Sequence, residues 1–488
     1  MRVNSSIFAL LVVSACIDDP IVPEAAGIAT AADEIEGFGR SEIHGSGTLF
    51  GVTDHGVDSR PIDLSSVPFS TYSFVHGQLV RNDGFGTASG TFTVPIEPQS
   101  HRWELATNIF GVPLLAVGNA RHPTLDRHQL GRLDAVPPSV ETDVTLDVTG
   151  MAPWDPGDTT EVVVGNNGTV VFSPDQQFAT PPAIGDTAFT GQSIDWSSQP
   201  GASLVDASRG DVTMMEQLVS HTSGAETFST VERAGTASGF SQTDGVASTL
   251  SIAMQTVPQR SHVLRWRGAS FEDLASGLGA GASSVFATMF IDAEPDADRL
   301  GFYGFAAPDL LLYTPSSLSV SADLAVHYGN PYRSMGRAWD EFATVLYFYQ
   351  VPVQLGDAAP LFETLVYQAN TAVDEDIVIA PRISAVRDVQ IAPPFVHWQP
   401  PAIGHATQYF LTLERLGVAD GVTTSETIAQ FYTKDRDLEI PGTYLESGAT
   451  YVMKIQAINF GNVDRTTDLF GDGLPFAGVT MVTESFTP

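Results

Sequence analysis

Short segments in which apolar and polar residues alternate are the dominant pattern along this chain. Within residues 142–149, Val144, Leu146 and Val148 occupy every second position, and threonine and aspartate fill the positions between them. Successive side chains of a strand point to opposite faces, so this period predicts a β-strand with one buried face. Residues 344–351 are rich in β-branched and aromatic residues and predict another strand.

A hairpin is predicted where two runs of β-branched residues flank an Asn-Gly pair. Residues 161–172 read Glu-Val-Val-Val-Gly-Asn-Asn-Gly-Thr-Val-Val-Phe. Asn and Gly accept the positive φ angles that tight hairpin turns require, so the two runs are expected to pair across this turn. Leu250, Ile252 and Met254 alternate with polar neighbours and predict a further strand.

The predicted strands are short because turn-forming residues are frequent. The 488 residues include 44 Gly and 31 Pro, and 43% of them are hydrophobic, which is too apolar for a disordered chain. Helix is scarce, and one candidate begins at Ser270, where Asp273 three residues later indicates a capped turn or two. The length suffices for several domains with cores of their own. We therefore predict an all-β chain of tandem β-sandwich domains.

The charge of the chain excludes one class of partner. Fifty-seven Asp and Glu against 23 Lys and Arg give a formal net charge of −34, which would repel phosphate backbones, so nucleic acid is not expected to bind. Lysine occurs only at Lys434 and Lys454. Either a saline habitat, in which salt screens the carboxylates, or simple solubility accounts for this acidity.

The N-terminus has the parts of an export signal. Arg2 supplies a positive charge, residues 7–13 form a short apolar run, and Val-Ser-Ala-Cys follows, ending at Cys16. The run is far shorter than the roughly 18 residues of a membrane-spanning helix. Val-Ser-Ala-Cys resembles the bacterial lipobox, which implies a signal peptide of residues 1–15 and acylation of Cys16. Ordinary cleavage after Ala15 is the alternative.

Further features of this segment favour the lipid anchor. Cys16 is the only cysteine, so it has no disulfide partner within an exported chain. Two or three acyl chains would hold the protein stably at a membrane. By the enterobacterial sorting rule, a lipoprotein with an aspartate directly after the acylated cysteine stays at the inner membrane. Ile17 occupies that position here and therefore favours the outer membrane. The body of the protein would then face either the cell surface or the periplasm. Residues 16–42 are acidic and rich in Ala and Pro, and they predict a flexible tether.

The C-terminal part, residues 381–488, carries a family resemblance. Val-His-Trp398-Gln-Pro-Pro precedes a segment in which Leu445 lies six residues before Tyr451, and Tyr451-Val-Met-Lys-Ile-Gln-Ala has one apolar face. This pattern resembles a fibronectin type III domain. The resemblance implies an immunoglobulin-like sandwich in which Trp398 is the buried tryptophan of the second strand and Leu445 and Tyr451 form the tyrosine corner. The proline that the family usually places four residues before the tyrosine is Ser447 here.

The domain boundaries are less clear in the residues before 381. Residues 83–95, followed by Trp103-Glu-Leu, resemble the carboxypeptidase regulatory-like, transthyretin-type sandwich, which implies a β-sandwich over 43–150. A similar sequence pattern recurs near residues 235–266, either because a domain was duplicated or because two hairpins arose independently. This approximate repeat supports a domain boundary near residue 150. Residues 151–380 are expected to form a second β-rich domain of unknown type. The whole arrangement resembles myxobacterial-type surface lipoproteins, whose function is uncharacterised.

Few residues form motifs that carry chemistry. The chain contains no His-Glu-x-x-His pair of zinc ligands, no Gly-x-Ser-x-Gly elbow and no glycine-rich phosphate loop. His122 and His128 with Asp126 between them could bind zinc or copper if a loop folded them inward. The neighbouring arginines would oppose a cation, so a solvated loop is favoured.

Two further segments, residues 292–298 and 209–211, contain patterns that occur in binding sites. Alternating acids that suggest a calcium loop are Asp292, Glu294, Asp296 and Asp298. Ala297 stands where an EF-hand needs glycine and Tyr303 where it needs glutamate, so a solvated turn is favoured over structural calcium, and no cofactor is predicted. Arg209-Gly-Asp211 is the tripeptide that integrins recognise, but it is also an ordinary turn sequence.

These observations favour a non-catalytic, lipid-anchored envelope or surface protein with an adhesive, binding or structural role. Its expected partners are the membrane, through the anchor, and an extracellular protein or polysaccharide. The alternative is a polysaccharide-binding accessory protein or a hydrolase with its site in residues 151–380. Tyr328, Tyr332 and Trp339 lie there, Trp339 directly before two acidic residues, and such aromatic rings could stack on sugars if they were exposed. An ordinary core strand and turn is favoured over this interpretation.

Overall fold

Almost all of the regular structure is β, which confirms the predicted fold class. Helix α1 (Gly268–Gly277) begins two residues before Ser270, so Ser270 lies in its first turn and the cap predicted there is wrong. The computed structural model describes residues 42–53, 56–75, 78–97, 103–107, 114–118, 121–167, 169–172, 178, 180–199, 201–223, 226–237, 239–256, 261–266, 268–278, 286–292, 308–314, 324–329, 342–372, 376–460 and 476–488.

The strands are numbered in chain order. Up to residue 256 they are β1 (Glu42–Ser46), β2 (Thr48–Thr53), β3 (Gly56–Pro61), β4 (Phe69–Val75), β5 (Gln78–Gly86), β6 (Thr91–Pro95), β7 (Trp103–Thr107), β8 (Leu114–Gly118), β9 (Arg127–Leu130), β10 (Asp143–Thr149), β11 (Thr159–Gly165), β12 (Thr169–Phe172), β13 (Ala188–Asp195), β14 (Val212–Ser223), β15 (Glu226–Ala237), β16 (Ser248–Ala253) and β17 (Gln255–Thr256). The later strands are β18 (Ser261–Trp266), β19 (Phe286–Asp292), β20 (Pro308–Thr314), β21 (Leu324–Gly329), β22 (Phe342–Val353), β23 (Leu361–Ala372), β24 (Asp376–Ile379), β25 (Arg387–Ala392), β26 (Phe395–Gln399), β27 (Gln408–Ala419), β28 (Val422–Thr433), β29 (Asp437–Glu439), β30 (Thr450–Phe460) and β31 (Phe476–Val482).

The strands that the alternating pattern predicts are present. In β10 the three predicted apolar positions are fully buried, and the residues between them are partly exposed. β11 and β12 pair antiparallel with Glu161 opposite Phe172 and Val164 opposite Thr169, which confirms the predicted hairpin. Asn166 in the turn has a φ of 66°, the left-handed conformation that asparagine tolerates better than most residues.

The first sandwich is built around a small aromatic core. β4 pairs with β5 and β7, and β6 joins β5 to β1. The rings of Phe69 and Phe92 stack with their centroids 4.3 Å apart, and Leu105 and Val94 are buried in the same cluster. Apolar burial of this kind contributes about 1.5–3 kcal/mol for each large side chain.

A second core lies between two sheets of the middle region. β10 pairs with β13 and β16 to form one sheet, and β11, β12, β14 and β15 belong to the other. Val144, Leu146, Val162, Met215 and Trp196 are buried between them. The strands of this second sandwich therefore begin at β10, before residue 150.

The third sandwich occupies the C-terminal residues. One sheet has the order β25-β26-β29, and the facing sheet has the order β28-β27-β30-β31. This is an immunoglobulin-like arrangement of two antiparallel sheets. Trp398 from β26 and Tyr409, Met453 and Ile455 from the other sheet are buried between the two layers.

Main-chain pairing joins one layer of each of the three sandwiches into a single continuous sheet. β8 pairs in parallel with β28, with Leu115 opposite Phe431, which continues the first sandwich into the third. On the far edge β31 pairs with β23, with Tyr367 opposite Val479. The sheet then continues through β22, β19, β20 and β15 into the second sandwich. The edge strands β28 and β31 of the C-terminal sandwich are thus both paired.

Candidate functional site

Several predicted positions lie outside the described residues. Cys16 and the tether up to residue 41 belong to this group, as do residues 293–300, Tyr332 and Trp339. Asp292 ends β19 and Tyr328 lies on β21, but their side chains are not described. In the part of the chain that is described, no helix is both long and apolar enough to cross a membrane. The calcium, sugar-binding and lipidation hypotheses therefore stay predictions.

The His122 segment is held by the main chain of the first sandwich. Nδ1 of His122 lies 3.1 Å from the carbonyl oxygen of His44, and a carboxylate oxygen of Asp126 accepts a hydrogen bond from the backbone N–H of Thr48 at 2.8 Å. The side chain of His128 is not described. No group of three or more His, Cys, Asp or Glu side chains that could hold a metal ion occurs within the described ranges. The two described contacts anchor a loop.

The Arg-Gly-Asp tripeptide is folded so that its two charges have different environments. Arg209 is 54% exposed, whereas the side chain of Asp211 is fully buried. Both carboxylate oxygens of Asp211 bind Arg132, through Nε at 3.0 Å and Nη2 at 3.1 Å. The backbone N–H of Asp206 donates to the same carboxylate at 2.8 Å. A receptor cannot reach Asp211 in this conformation, so the tripeptide serves the fold.

Arg132 joins the chain between the first two sandwiches to the second one. Its side chain is 11% exposed, and it also binds the exposed carboxylate of Asp134 at 2.8 Å. The side-chain amide of Asn167 in the β11–β12 turn donates to Asp211 at 3.3 Å. A bidentate pair between arginine and carboxylate with further hydrogen bonds satisfies the buried charge, as a stable buried ion pair requires.

We expect Asp211→Asn to lower the free energy of unfolding by about 3 kcal/mol, since it leaves Arg132 buried without its bidentate partner. Asp134→Asn removes the exposed partner of the same arginine and is expected to cost less than about 1 kcal/mol. Urea denaturation of both variants measures the difference. Equal losses would show that the burial of Asp211 does not determine the strength of this contact.

The residues of the proposed tyrosine corner lie in the C-terminal core. The hydroxyl of Tyr451 accepts a hydrogen bond from the backbone N–H of Glu446 at 2.8 Å, which fixes the connection before β30. Leu445 is partly buried and packs against the same core. Trp398 is fully buried, with its ring edge-on to Tyr409 at a centroid distance of 5.1 Å. These side chains are core residues and do not form a binding surface.

An ion triad lies on the outer face of the C-terminal sandwich. Nζ of Lys454 on β30 is 2.6 Å from a carboxylate oxygen of Glu414 on β27 and 2.7 Å from one of Glu363 on β23. The side chains are 20%, 6% and 12% exposed, respectively. Burial raises the pKa of the Glu414 carboxyl above its usual range, although contact with Lys454 offsets part of the effect. Burial lowers the pKa of Lys454, but hydrogen bonds to both carboxylates raise it by more.

The triad fastens the β22–β23 hairpin across this outer face. Val353 and Leu355 at the end of β22 pack on Leu416 and Val452, which point away from the Trp398 core. The backbone N–H of Ala359, at the tip of the hairpin, donates to the carbonyl oxygen of Gly421 at 2.9 Å. The outer face of this sandwich is therefore covered by the preceding segment of the chain at this position.

The buried charges were not among the predicted site residues, although the sequence carries a weak signal for them. Lys454 interrupts an apolar strand in a chain with two lysines, Glu161 directly precedes three valines, and Glu216 directly follows two methionines. Glu161 and Glu216 are also buried, at 2% and 0% exposure. An acidic residue next to apolar residues indicates a charged side chain within a strand, but it does not identify the partner of that side chain.

Comparison with known proteins gives no family. No family model matches the chain, and no curated protein matches it. Among solved structures it is similar to a streptococcal ancillary pilin, with 10% identity over 70% of this chain and 98% of that one and a TM-score of 0.12. A tetra-tandem repeat from the extending region of a large adhesion protein has 11% identity over 91% and 99%, with a TM-score of 0.12. A leucine-rich repeat protein from Bacteroides thetaiotaomicron has 11% identity over 49% and 26%, with the same TM-score. Similarity at this level carries no conclusion about function.

Proposed function

We propose that this chain is a lipid-anchored protein of the cell envelope whose β-body has a structural or adhesive role and no catalytic one. The observation that carries the proposal is the unbroken main-chain pairing through all three sandwiches. Strand edges that pair within the chain are not available to other chains, which protects an exposed β-protein from aggregation. A body joined in this way is suited to holding its shape outside the cytoplasm.

The chemistry of the chain supports the same proposal. With a single cysteine the protein cannot use internal disulfides, which commonly stabilise secreted domains. Here the buried Arg132–Asp211 pair and the Lys454 triad connect distant segments instead. Each group that these contacts bury is bound to another part of the fold. They therefore act in the fold and are not placed to act on a substrate.

The proposed anchor determines how far the body stands from the membrane. Acylation at Cys16 leaves about 25 residues before β1 starts at Glu42. Such a segment would reach roughly 80 to 90 Å if fully extended. This length would carry the sandwiches beyond the lipid headgroups. We propose an outer-membrane location, with the body facing the cell surface.

Protease shaving of intact cells tests this proposal. Cells producing the wild type, Cys16→Ser or the matched control Ser14→Ala would be labelled with palmitate and treated with protease. We expect label and surface fragments from the wild type and from Ser14→Ala. Cys16→Ser is expected to lose all label and to be released into the medium. A labelled wild type that stays membrane-bound and resists shaving would contradict the surface role, and an unlabelled wild type would contradict the anchor.

A further inference from the structure

The central strand of the small C-terminal sheet presents an aromatic ring to solvent. In β26, Val396 and Trp398 are buried between the two layers of the sandwich. Alternate residues of a strand lie on opposite faces, so Phe395, His397 and Gln399 lie on the outer face. Phe395 is 55% exposed, His397 is exposed and Gln399 is half-buried. Single exposed apolar residues are common on protein surfaces, so the side chains around the ring decide what this face can bind.

The side chains next to the ring are polar or small. On β25, Gln390 lies opposite His397 and Ala392 lies opposite Phe395, and both β25 residues are exposed. Directly opposite residues share a face, with Cβ atoms about 4.5 to 5.5 Å apart. Nε2 of Gln399 is 3.3 Å from Nε2 of His397, within hydrogen-bonding distance. Two amides and an imidazole therefore lie beside a ring whose flank towards Ala392 is open.

Main-chain hydrogen bonds fix β26 on both sides. The strand pairs with β25 along one edge and with β29 along the other. Just beyond β29, the backbone N–H of Ile440 donates to the carbonyl oxygen of Pro394 at 2.8 Å, directly before Phe395. At the other end, the backbone N–H of Trp398 donates to the carbonyl oxygen of Arg436 at 3.0 Å. The outer side chains are thus held on a rigid strand, which lowers the entropy cost of binding a ligand.

The charge of the chain restricts the ligands that suit this face. On β29, Asp437 lies opposite His397 and Glu439 lies opposite Phe395, so the third strand of the face is acidic. The whole chain has a formal net charge of −34. Long-range repulsion therefore disfavours both an anionic polymer and a second copy of this chain as the occupant. A ligand without negative charge fits the face better.

The composition of the face favours a sugar over a protein. A standard protein interface buries about 800 Å² on each partner and has an apolar centre. Among the register positions of this face, Phe395 is the only large apolar side chain. A sugar ring needs less area, because its C–H face packs on one aromatic ring and its hydroxyls both donate and accept hydrogen bonds. Glutamine amides and imidazole also donate and accept.

We propose that the outer face of the β25-β26-β29 sheet binds a neutral polysaccharide that stacks on Phe395 and forms hydrogen bonds with Gln390, His397 and Gln399. The site gives a ligand class to the adhesive role proposed above and rests on that role. Positions two residues apart on β26 are roughly 6.5 Å apart, so one sugar packs on the ring while its neighbour in the polymer reaches the imidazole. A polymer that binds several anchored copies at once gains avidity, so a weak single contact suffices.

Affinity electrophoresis of the full-length protein in neutral detergent tests the proposal. Native gels would contain dextran, galactomannan, hydroxyethylcellulose or laminarin as neutral probes, and alginate as an anionic one. The variants are Phe395→Ala, Phe395→Tyr, which keeps an aromatic ring, and Gln390→Ala. Phe362→Ala is the matched control, because Phe362 on β23 is also 55% exposed. Urea unfolding shows that each variant is folded.

We expect at least one neutral polysaccharide to slow the wild type, Phe362→Ala and Phe395→Tyr alike. Phe395→Ala is expected to weaken the apparent affinity about tenfold, because the stacking partner is lost. Gln390→Ala should weaken it by less, and it decides the outcome if Phe395→Ala does not fold. The proposal is overturned if no neutral polysaccharide slows the wild type, if alginate alone does, or if the two alanine variants of phenylalanine lose affinity equally.

The remaining outcomes separate this site from the proposed anchor and location. Dimerisation of the wild type that Phe395→Ala abolishes, without retardation in any neutral gel, would assign the face to a second copy and overturn the glycan site. A palmitate-labelled, shaved protein that no neutral polysaccharide slows would also overturn the glycan site, while the surface location would stand. Retardation that depends on Phe395 in a protein that is neither labelled nor shaved would support the glycan site and contradict the anchor.

Discussion

Lys454→Met is expected to lower the free energy of unfolding by about 3 kcal/mol or more. The substitution keeps the length of the aliphatic side chain and removes the charge that binds both Glu363 and Glu414. Two carboxylates then remain in a mostly buried position without a cation. Removing one member of a buried ion pair costs more than removing the whole pair, because the remaining charge is uncompensated. The β22–β23 hairpin should loosen together with the outer face of the sandwich.

Two controls separate this effect from a change in overall charge. Lys434 is the other lysine and is exposed, so Lys434→Met is expected to cost less than about 1 kcal/mol. The loss in Lys454→Met should shrink from pH 7.5 to pH 5, because burial already raises the pKa of Glu414 and protonation removes its charge. Urea midpoints at both pH values measure these differences. Equal losses for the two lysine variants, unaffected by pH, would show that the triad adds no stability.

Trp398→Ala is expected to lower the free energy of unfolding by about 3 to 5 kcal/mol, at least as much as Lys454→Met. The ring is fully buried between the two C-terminal sheets, and its removal leaves a cavity that the surrounding strands can fill only in part. The same apolar cluster includes Tyr72 and Leu115 of the first sandwich and Phe271 of α1. Destabilisation at Trp398 should therefore reach strands more than 250 residues earlier in the sequence.

Phe395→Ala is the matched control for this substitution. Phe395 lies on the same strand, three residues before Trp398, and it is 55% exposed. Its removal creates no closed cavity, so we expect a loss well below 1.5 kcal/mol. Thermal or urea unfolding distinguishes the two variants. Similar losses at both positions would mean that the Trp398 ring is not part of a closely packed core.

The sequence pattern determines individual strands well and their long-range partners poorly. β10 and the β11–β12 hairpin follow from a period of two and from a local turn, both of which act over a few residues. The pairing of β8 with β28 joins residues more than 300 positions apart, and neither strand carries a local signal for the other. Such a contact arises from the arrangement of whole sandwiches, which a single sequence does not display.

Buried charges are hard to predict for a related reason. Most Glu and Lys residues are exposed, and an alternating strand normally turns its polar positions to water. In the C-terminal sandwich those polar positions lie under the β22–β23 hairpin, so Glu414 is buried and Lys454 is largely buried although their pattern indicates an outer face. Asp211 shows the same effect in the Arg-Gly-Asp tripeptide. When residues distant in the sequence cover the polar face of a strand, its polar positions are buried, and the local pattern no longer indicates which side chains are exposed.

The most direct test of the continuous β-body is amide hydrogen exchange in rising urea, on the wild type and on Trp398→Ala. Peptides covering β8 (Leu114–Gly118), β23 (Leu361–Ala372) and β30 (Thr450–Phe460) report on the two joints and on the sandwich between them. Because main-chain pairing and a shared core join these strands, the three peptides are expected to lose protection from exchange at a single urea concentration. In Trp398→Ala this midpoint should move to lower urea by the same amount for all three. A β8 transition that stays separate and unmoved in Trp398→Ala would show that the sandwiches are independent modules.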